Sequence, residues 1–205
     1  MNQVPDMDDL FQDCDVIVPT PRNLLGGVRG HYDAYHNVED LDLVGEIIKE
    51  KYPSYVNAYI NTMDGHLLLP WNMFVMRKED FNEYAEFVFG VLKEFDARMG
   101  FNTDDDVRKH VEEHTEKYLK KFSPNDDVTY QMRIGGFLGE RLFSCFVRKH
   151  FKKPHPFNVE VTQEKYNGWN ETKKLPTSTL SSDIDEEMDK RNITIIDIGK
   201  EVKDE

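Results

Sequence analysis

Two cysteines in 205 residues, Cys14 and Cys145, are too few for a disulfide framework and match no metal-ligand spacing. A reducing compartment is the natural expectation. No run approaches the roughly 18 consecutive apolar residues of a membrane-spanning helix. The first residues, Met-Asn-Gln-Val-Pro-Asp, have neither the basic nor the apolar region of a secretory signal. The chain is therefore expected to be cytoplasmic, with no integral membrane segment. Positive charge is also scarce: 26 Lys and Arg against 39 Asp and Glu give a net charge of −13. That balance argues against nucleic acid and anionic lipid as partners, since both need a positive field. No internal repeat is visible.

Aromatic residues are plentiful. Thirteen Phe, nine Tyr and two Trp supply a substantial core, so the acidic balance does not signal a disordered chain. Short apolar strands alternating with long amphipathic helices predict an α/β domain over residues 1–170. A buried strand is expected at Asp15-Val16-Ile17-Val18-Pro19, followed by a loop over residues 20–37. Helices are expected from Asp40 to Pro53, around residues 55–63, over 79–99 with Gly100 as the stop, over 103–122, and over 128–151. Residues 67–76 read as an apolar strand interrupted by Asn72, and Phe157-Asn158-Val159-Glu160-Val161 as a last strand. Residues 171–205 are rich in Ser, Thr, Asp, Glu and Lys and read as a flexible acidic tail, with a possible edge strand at 193–198.

Several constellations carry chemistry. Asn72 is the one strongly polar side chain in its apolar run, and burying an amide costs a few kcal/mol unless it finds partners. It is either satisfied by the fold or aimed at a ligand. Gly135, Gly136 and Gly139 share one predicted helix, each costing up to about 1 kcal/mol relative to alanine. Such a cost points to close approach by another element or by a ligand. Glu140 and Arg141 follow, with Arg133 two turns below Glu140. An arginine fork suits a diphosphate, and a carboxylate suits a base or sugar hydroxyls. The competing reading is a tight helix crossing with a structural ion pair. His31-Tyr32 with His36, Glu39 and Asp40 could supply a base or a metal site, or simply turn and capping groups. His110-Val111-Glu112-Glu113-His114 matches the inverted zincin pattern, in which two histidines hold zinc and the glutamate activates water. Its exposed, charge-laced setting suits a solvated helix better. Asp6-Met7-Asp8 and Asp104-Asp105-Asp106 contain the Asp-x-Asp of many Mn²⁺-dependent sugar-nucleotide enzymes, but each opens an acidic helix, where capping is the simpler reading.

The blocks Asp15 to Pro19 with Pro21-Arg22-Asn23, Gly30-His31-Tyr32, and His36-Asn37-Val38-Glu39-Asp40-Leu41 occur in that order. They are followed by Ile47 to Pro53, Trp71-Asn72-Met73-Phe74-Val75-Met76 into Phe81, and Phe137-Leu138-Gly139-Glu140-Arg141-Leu142. This series, over about residues 13–161, resembles the C-terminal part of the uncharacterised-domain glycosyltransferases of bacterial capsular and exopolysaccharide biosynthesis. The resemblance implies a partial or compact GT-A-like domain that transfers a sugar, as a hexosyltransferase, from a nucleotide sugar to a carbohydrate acceptor. The product would be a polysaccharide or glycoprotein glycan, with Mn²⁺ or Mg²⁺ accompanying the donor. Asn72 would lie on a strand beneath the donor sugar, and His31, Tyr32, Glu140 and Arg141 would line the cleft. Glu140 and His31 are the expected catalytic residues; Asn72, Trp71, Tyr32, Arg141, Arg133 and Arg22 are the expected substrate-binding set. No residue is assigned to a metal.

Two features depart from the family pattern. Its members usually carry an N-terminal nucleotide-binding half ending in His-Tyr-Arg-Arg, which this sequence does not contain, so a second chain is a candidate source of that half. Residues 101–127 read as a helical insertion. A non-catalytic glycan-binding or scaffold domain is the alternative function, and a zinc-dependent hydrolase working through His110 and His114 is the third.

Overall fold

β1, Val16–Pro19, is buried at all four positions, as expected of a continuous apolar run covered on both faces. It pairs in parallel with β4, Pro154–Phe157, in the register Val16 to Pro154 through Pro19 to Phe157. Asp15 sets that register: its carboxylate accepts the backbone N–H groups of Lys152 and Lys153, both at 3.1 Å. On the other edge of β1, Ile17 exchanges two backbone hydrogen bonds with Val75, each 2.9 Å. A second small sheet pairs β2, Arg22–Asn23, antiparallel to β3, Leu67–Leu68. The computed structural model describes residues 11–119 and 127–157, all within the unit Met1–Glu160.

Helices make up most of the described chain. In order they are α1 (Gly27–Tyr35), α2 (Glu39–Lys51), α3 (Val56–Met63), α4 (Lys78–Met99), α5 (Asp104–Glu113), α6 (Thr115–Tyr118), α7 (Val128–Gln131) and α8 (Ile134–His150). α8 is the hub, packed against α2, α3 and α4. It buries Leu138, Leu142, Phe143, Cys145 and Phe146 completely, so it is apolar around most of its circumference. α4 faces it with Tyr84, Phe87, Val88, Val91 and Phe95. Gly100 ends α4 at φ 73°, where a left-handed residue lets its N–H reach back to the last turn. Thr103 and Asp106 open α5 with a reciprocal capping box, which consumes the Asp106 carboxylate.

The architecture is the expected one: short strands among long helices, with a small parallel sheet. Several local expectations are corrected. The supposed loop over residues 20–37 holds β2 and the whole of α1. Gly26, Gly27 and Gly30 hide the helical period there, yet Val28 and Tyr32, one turn apart, are both 0% exposed. The supposed strand over 67–76 pairs only at Leu67–Leu68 and at Val75, because Trp71 (φ 67°) and Asn72 (φ 49°) turn the chain through left-handed backbone. The helix expected over 103–122 breaks at His114, and the one over 128–151 breaks at Met132-Arg133 before α8 begins. β4 ends at Phe157, the first residue of the strand expected at 157–161. The rest of that strand, Asp6-Met7-Asp8 and the expected tail at 171–205 lie outside the described residues. Among the described residues no helix is long and apolar enough to cross a membrane.

Candidate functional site

Four segments bring the expected residues together: β2 carries Arg22, α1 carries His31 and Tyr32, the turn after β3 carries Trp71 and Asn72, and α8 carries Glu140 and Arg141. Glu140 ties them. One carboxylate oxygen, Oε1, accepts the backbone N–H of Trp71 at 3.0 Å, and the other, Oε2, accepts from Arg141 Nη1 at 3.1 Å. One turn further along α8, Ser144 accepts the Leu69 N–H at 3.0 Å. α8 therefore grips both ends of the turn through side chains spaced i, i+4.

Arg141 is only 2% exposed. Besides Glu140, Nη1 donates to the Phe137 carbonyl at 3.0 Å, and the guanidinium sits 5.0 Å from the Tyr32 ring centre. Nη2 lies 3.4 Å from His31 Nδ1. Burial pulls the Arg141 pKa down, and the Glu140 carboxylate opposes that. The fork expected to bind a diphosphate is thus turned inward, with Nε buried and without a partner. Tyr32, fully buried, likewise supports the site from beneath and is not part of its surface.

Burial, then the positive charges of Arg141 and Arg22, hold His31 down to about 4. At neutral pH its imidazole is uncharged. A guanidinium N–H has only a donor to offer Nδ1, so the proton belongs on Nε2. His31 then presents a neutral N–H donor. A role as base through Nε2 requires that proton to move to Nδ1, against a cationic donor.

Trp71 and Asn72 are consecutive non-glycine residues with positive φ, a conformation that costs on the order of 1–3 kcal/mol per residue and collects at functional sites. The Asn72 Oδ1 atom is buried without a hydrogen-bond partner. Its amide nitrogen packs against α8 so closely that a Cβ on Gly139 would lie 3.2 Å away. The close approach expected of the glycines is therefore real at Gly139. Gly135 and Gly136 face open space, and nothing in the structure explains them. Arg22 stacks over the Trp71 indole at 4.4 Å. Arg133 stands apart from this group. Its guanidinium sits 5.6 Å from Tyr130 and 5.7 Å from Phe137, and no hydrogen bond or ring contact links it to Arg22, His31, Trp71 or Glu140.

No cation site is built by the described residues. His110 and His114 stack with ring centres 4.4 Å apart, but no third His, Cys, Asp or Glu joins them, and His114 sits at the break after α5. His114 Nδ1 is committed to the His110 carbonyl at 2.9 Å. The described residues thus fit neither the zinc hydrolase nor a protein-held Mn²⁺ or Mg²⁺.

A second polar cluster lies below the site. Asp40, 2% exposed, accepts from Tyr118 Oη at 3.1 Å and Asn37 Nδ2 at 3.4 Å, while its other oxygen has no partner. His36 bonds Gln131 at 3.0 Å and stacks on Phe137 at 3.9 Å. Sequence reading left this stretch open between a base or metal site and turn or capping groups, and gave no sign of Tyr118, because that residue lies 78 positions away from Asp40. Burial pushes the Asp40 carboxyl up to about 7, against the opposing bond from Tyr118. The folded protein therefore keeps a proton that the unfolded chain releases near 3.8. This contribution to stability is full below that value and is lost as pH rises through about 7. Asp40→Asn should remove the loss. Its stability relative to the parent, read from urea denaturation, should improve steadily from pH 4 to 8; a pH-independent difference would contradict the assignment.

Comparison with solved structures finds the apo form of WbbM, described as a bifunctional glycosyltransferase, with a TM-score of 0.50 and 20% identity. The match covers 74% of this chain and 25% of that one, so the chain spans about a quarter of the solved enzyme's length. At that identity the likeness establishes the fold alone, which is glycosyltransferase-like. Among curated proteins nothing matches. Residues 1–122, more than half of the sequence, match the family model described as "Domain of unknown function (DUF4422)". The chain therefore belongs to the DUF4422 family.

Proposed function

We propose that this chain is a glycosyltransferase domain of GT-A-like type, taking part in transfer of a sugar from a nucleotide sugar to a glycan acceptor in polysaccharide or glycoprotein glycan synthesis. One observation carries the reading. In a glycosyltransferase-like fold, the Glu140-Arg141 pair holds a strained Trp71-Asn72 turn beside His31, which gathers an aromatic face, an amide, a carboxylate and an N–H donor. Those are the groups that orient a sugar. Each Glu140 oxygen has one internal partner, and the side chain is 24% exposed, so lone pairs remain for a sugar hydroxyl. His31 Nε2–H donates to a second oxygen. Arg141 holds both of them and is a positioning residue. A second chain is the proposed source of any nucleotide-binding surface beyond these residues. The described residues offer no cluster for Mn²⁺ or Mg²⁺, so no step is assigned to a metal.

A non-catalytic glycan-binding domain is the second reading, favoured by the same bonds: Glu140 is engaged at both oxygens and His31 Nδ1 faces a guanidinium donor. Thermal denaturation against a panel of nucleotide sugars and free glycans separates the two. A ligand at 100 times its Kd stabilises by about 2.7 kcal/mol. A rise in Tm with one nucleotide sugar is expected. A rise with glycans and none with any nucleotide sugar would replace the transferase by the binding domain.

A further inference from the structure

The Trp71 indole is 43% exposed at the tip of a strained turn. A large aromatic ring held outward by two left-handed residues gains little for the core. The backbone cost is met through Glu140, whose carboxylate fixes the Trp71 N–H. On this ring lies Arg22 at 4.4 Å, and Arg22 pairs with no carboxylate among the described residues. Arg22 is also close enough to His31 to act on its charge state.

We propose that Arg22 and Trp71 form a subsite for a sugar ring that carries an anionic group. The C–H face of the ring takes the indole face that Arg22 covers, and the guanidinium, displaced from that face, turns its planar fork to the carboxylate or phosphate. His31, close enough to Arg22 for that cation to act on its charge state, supplies a further donor through Nε2–H. The subsite rests on the sugar-transfer reading and narrows it. The negative group has two chemical sources: a uronate within the acceptor glycan, or the phosphate on the anomeric oxygen of a donor.

Tryptophan fluorescence titration of the full chain tests this, with Trp71→Phe removing the signal of interest and leaving Trp169, the other tryptophan, as the control. The probes are methyl glucoside, methyl glucuronide, glucose 1-phosphate and inorganic phosphate. A charge-assisted bidentate contact should make the anionic sugars bind about tenfold more tightly than methyl glucoside. A response to the glucuronide alone assigns the site to an acidic acceptor, one to glucose 1-phosphate alone to a glycosyl phosphate, and one to both to the charge itself. Arg22→Gln should erase the preference while keeping weak binding of all three sugars. Equal binding of neutral and anionic sugars, an unchanged preference in Arg22→Gln, or a signal surviving in Trp71→Phe would overturn the proposal. So would no response to any anionic sugar, or inorganic phosphate matching glucose 1-phosphate, because then the ring is not recognised. Stabilisation by a nucleotide sugar without these responses removes only the subsite; these responses without such stabilisation remove the transferase and keep the subsite.

Discussion

Arg141→Leu is expected to cost about 3 kcal/mol of stability and to raise the pH at which His31 takes up a proton. Removing one partner of a buried ion pair typically costs about 3–5 kcal/mol, and the low end applies here because Glu140 is 24% exposed and can rehydrate. The substitution also takes the donor from the Phe137 carbonyl and the cation from the Tyr32 ring. Arg141 is the larger of the two charges holding His31 down to about 4, after burial itself. Its loss should move the His31 titration upward, toward its usual 6.5. Urea denaturation reads the first effect, and a pH titration of the histidine ring signals by NMR reads the second. An unmoved His31 would mean that Arg141 does not set its charge state. Arg141→Lys keeps the charge and loses the fork, so it should keep His31 low while weakening the grip on Glu140.

Phe146→Ala should be at least as costly, about 3–5 kcal/mol, for a different reason. Phe146 is 0% exposed and joins five rings: His150 at 4.2 Å, Tyr84 at 5.4 Å, Phe151 at 5.9 Å, and Tyr55 and Phe87 each at 6.4 Å. Truncation leaves a cavity where α8 meets α4 and the 3-10 turn Pro53–Tyr55, which cannot close on it without breaking the Tyr55–Phe87 stack at 3.8 Å. No polar group is orphaned, so the loss should be independent of pH, unlike that at Asp40. Phe146→Leu, which keeps most of the volume, should lose less than half as much. Equal losses in the two variants would show that ring geometry, rather than volume, holds this layer together.

How much was legible depends on the range of the interaction. Periodicity located α2, α3 and α4 because Leu41, Val44, Ile47, Ile48, Phe87, Val91 and Phe95 repeat every three or four residues, and that pattern is local. The Gly100 stop was legible for the same reason. α1 was missed because its glycines supply no pattern and only Val28 and Tyr32 mark its inner face. The turn at Trp71-Asn72 was missed because its cause lies elsewhere: Glu140 and Ser144 hold it from α8, about 70 residues away along the chain. An apolar run reads as a strand until something outside it bends it.

The same division runs through the candidate site. Residue types selected Glu140, Arg141, His31 and Asn72, the family resemblance added Trp71 and Arg22, and the structure brings these six near one another. Their parts were decided only by tertiary contacts. An arginine reads as a phosphate ligand until burial to 2% exposure and three internal acceptors turn it inward. A histidine reads as a base until a guanidinium at its Nδ1 fixes the proton on the other nitrogen. Arg133 shares α8's entrance yet faces Tyr130 and Phe137, which helical spacing alone could not separate from Glu140. The sequence by itself determined the core-forming helices, the buried first strand and the acidic balance of the chain. Tertiary structure decided charge state, tautomer, backbone strain and exposure. Those properties follow from what surrounds a group in space, and dielectric, hydrogen-bond partners and packing are not encoded in the neighbours along the chain.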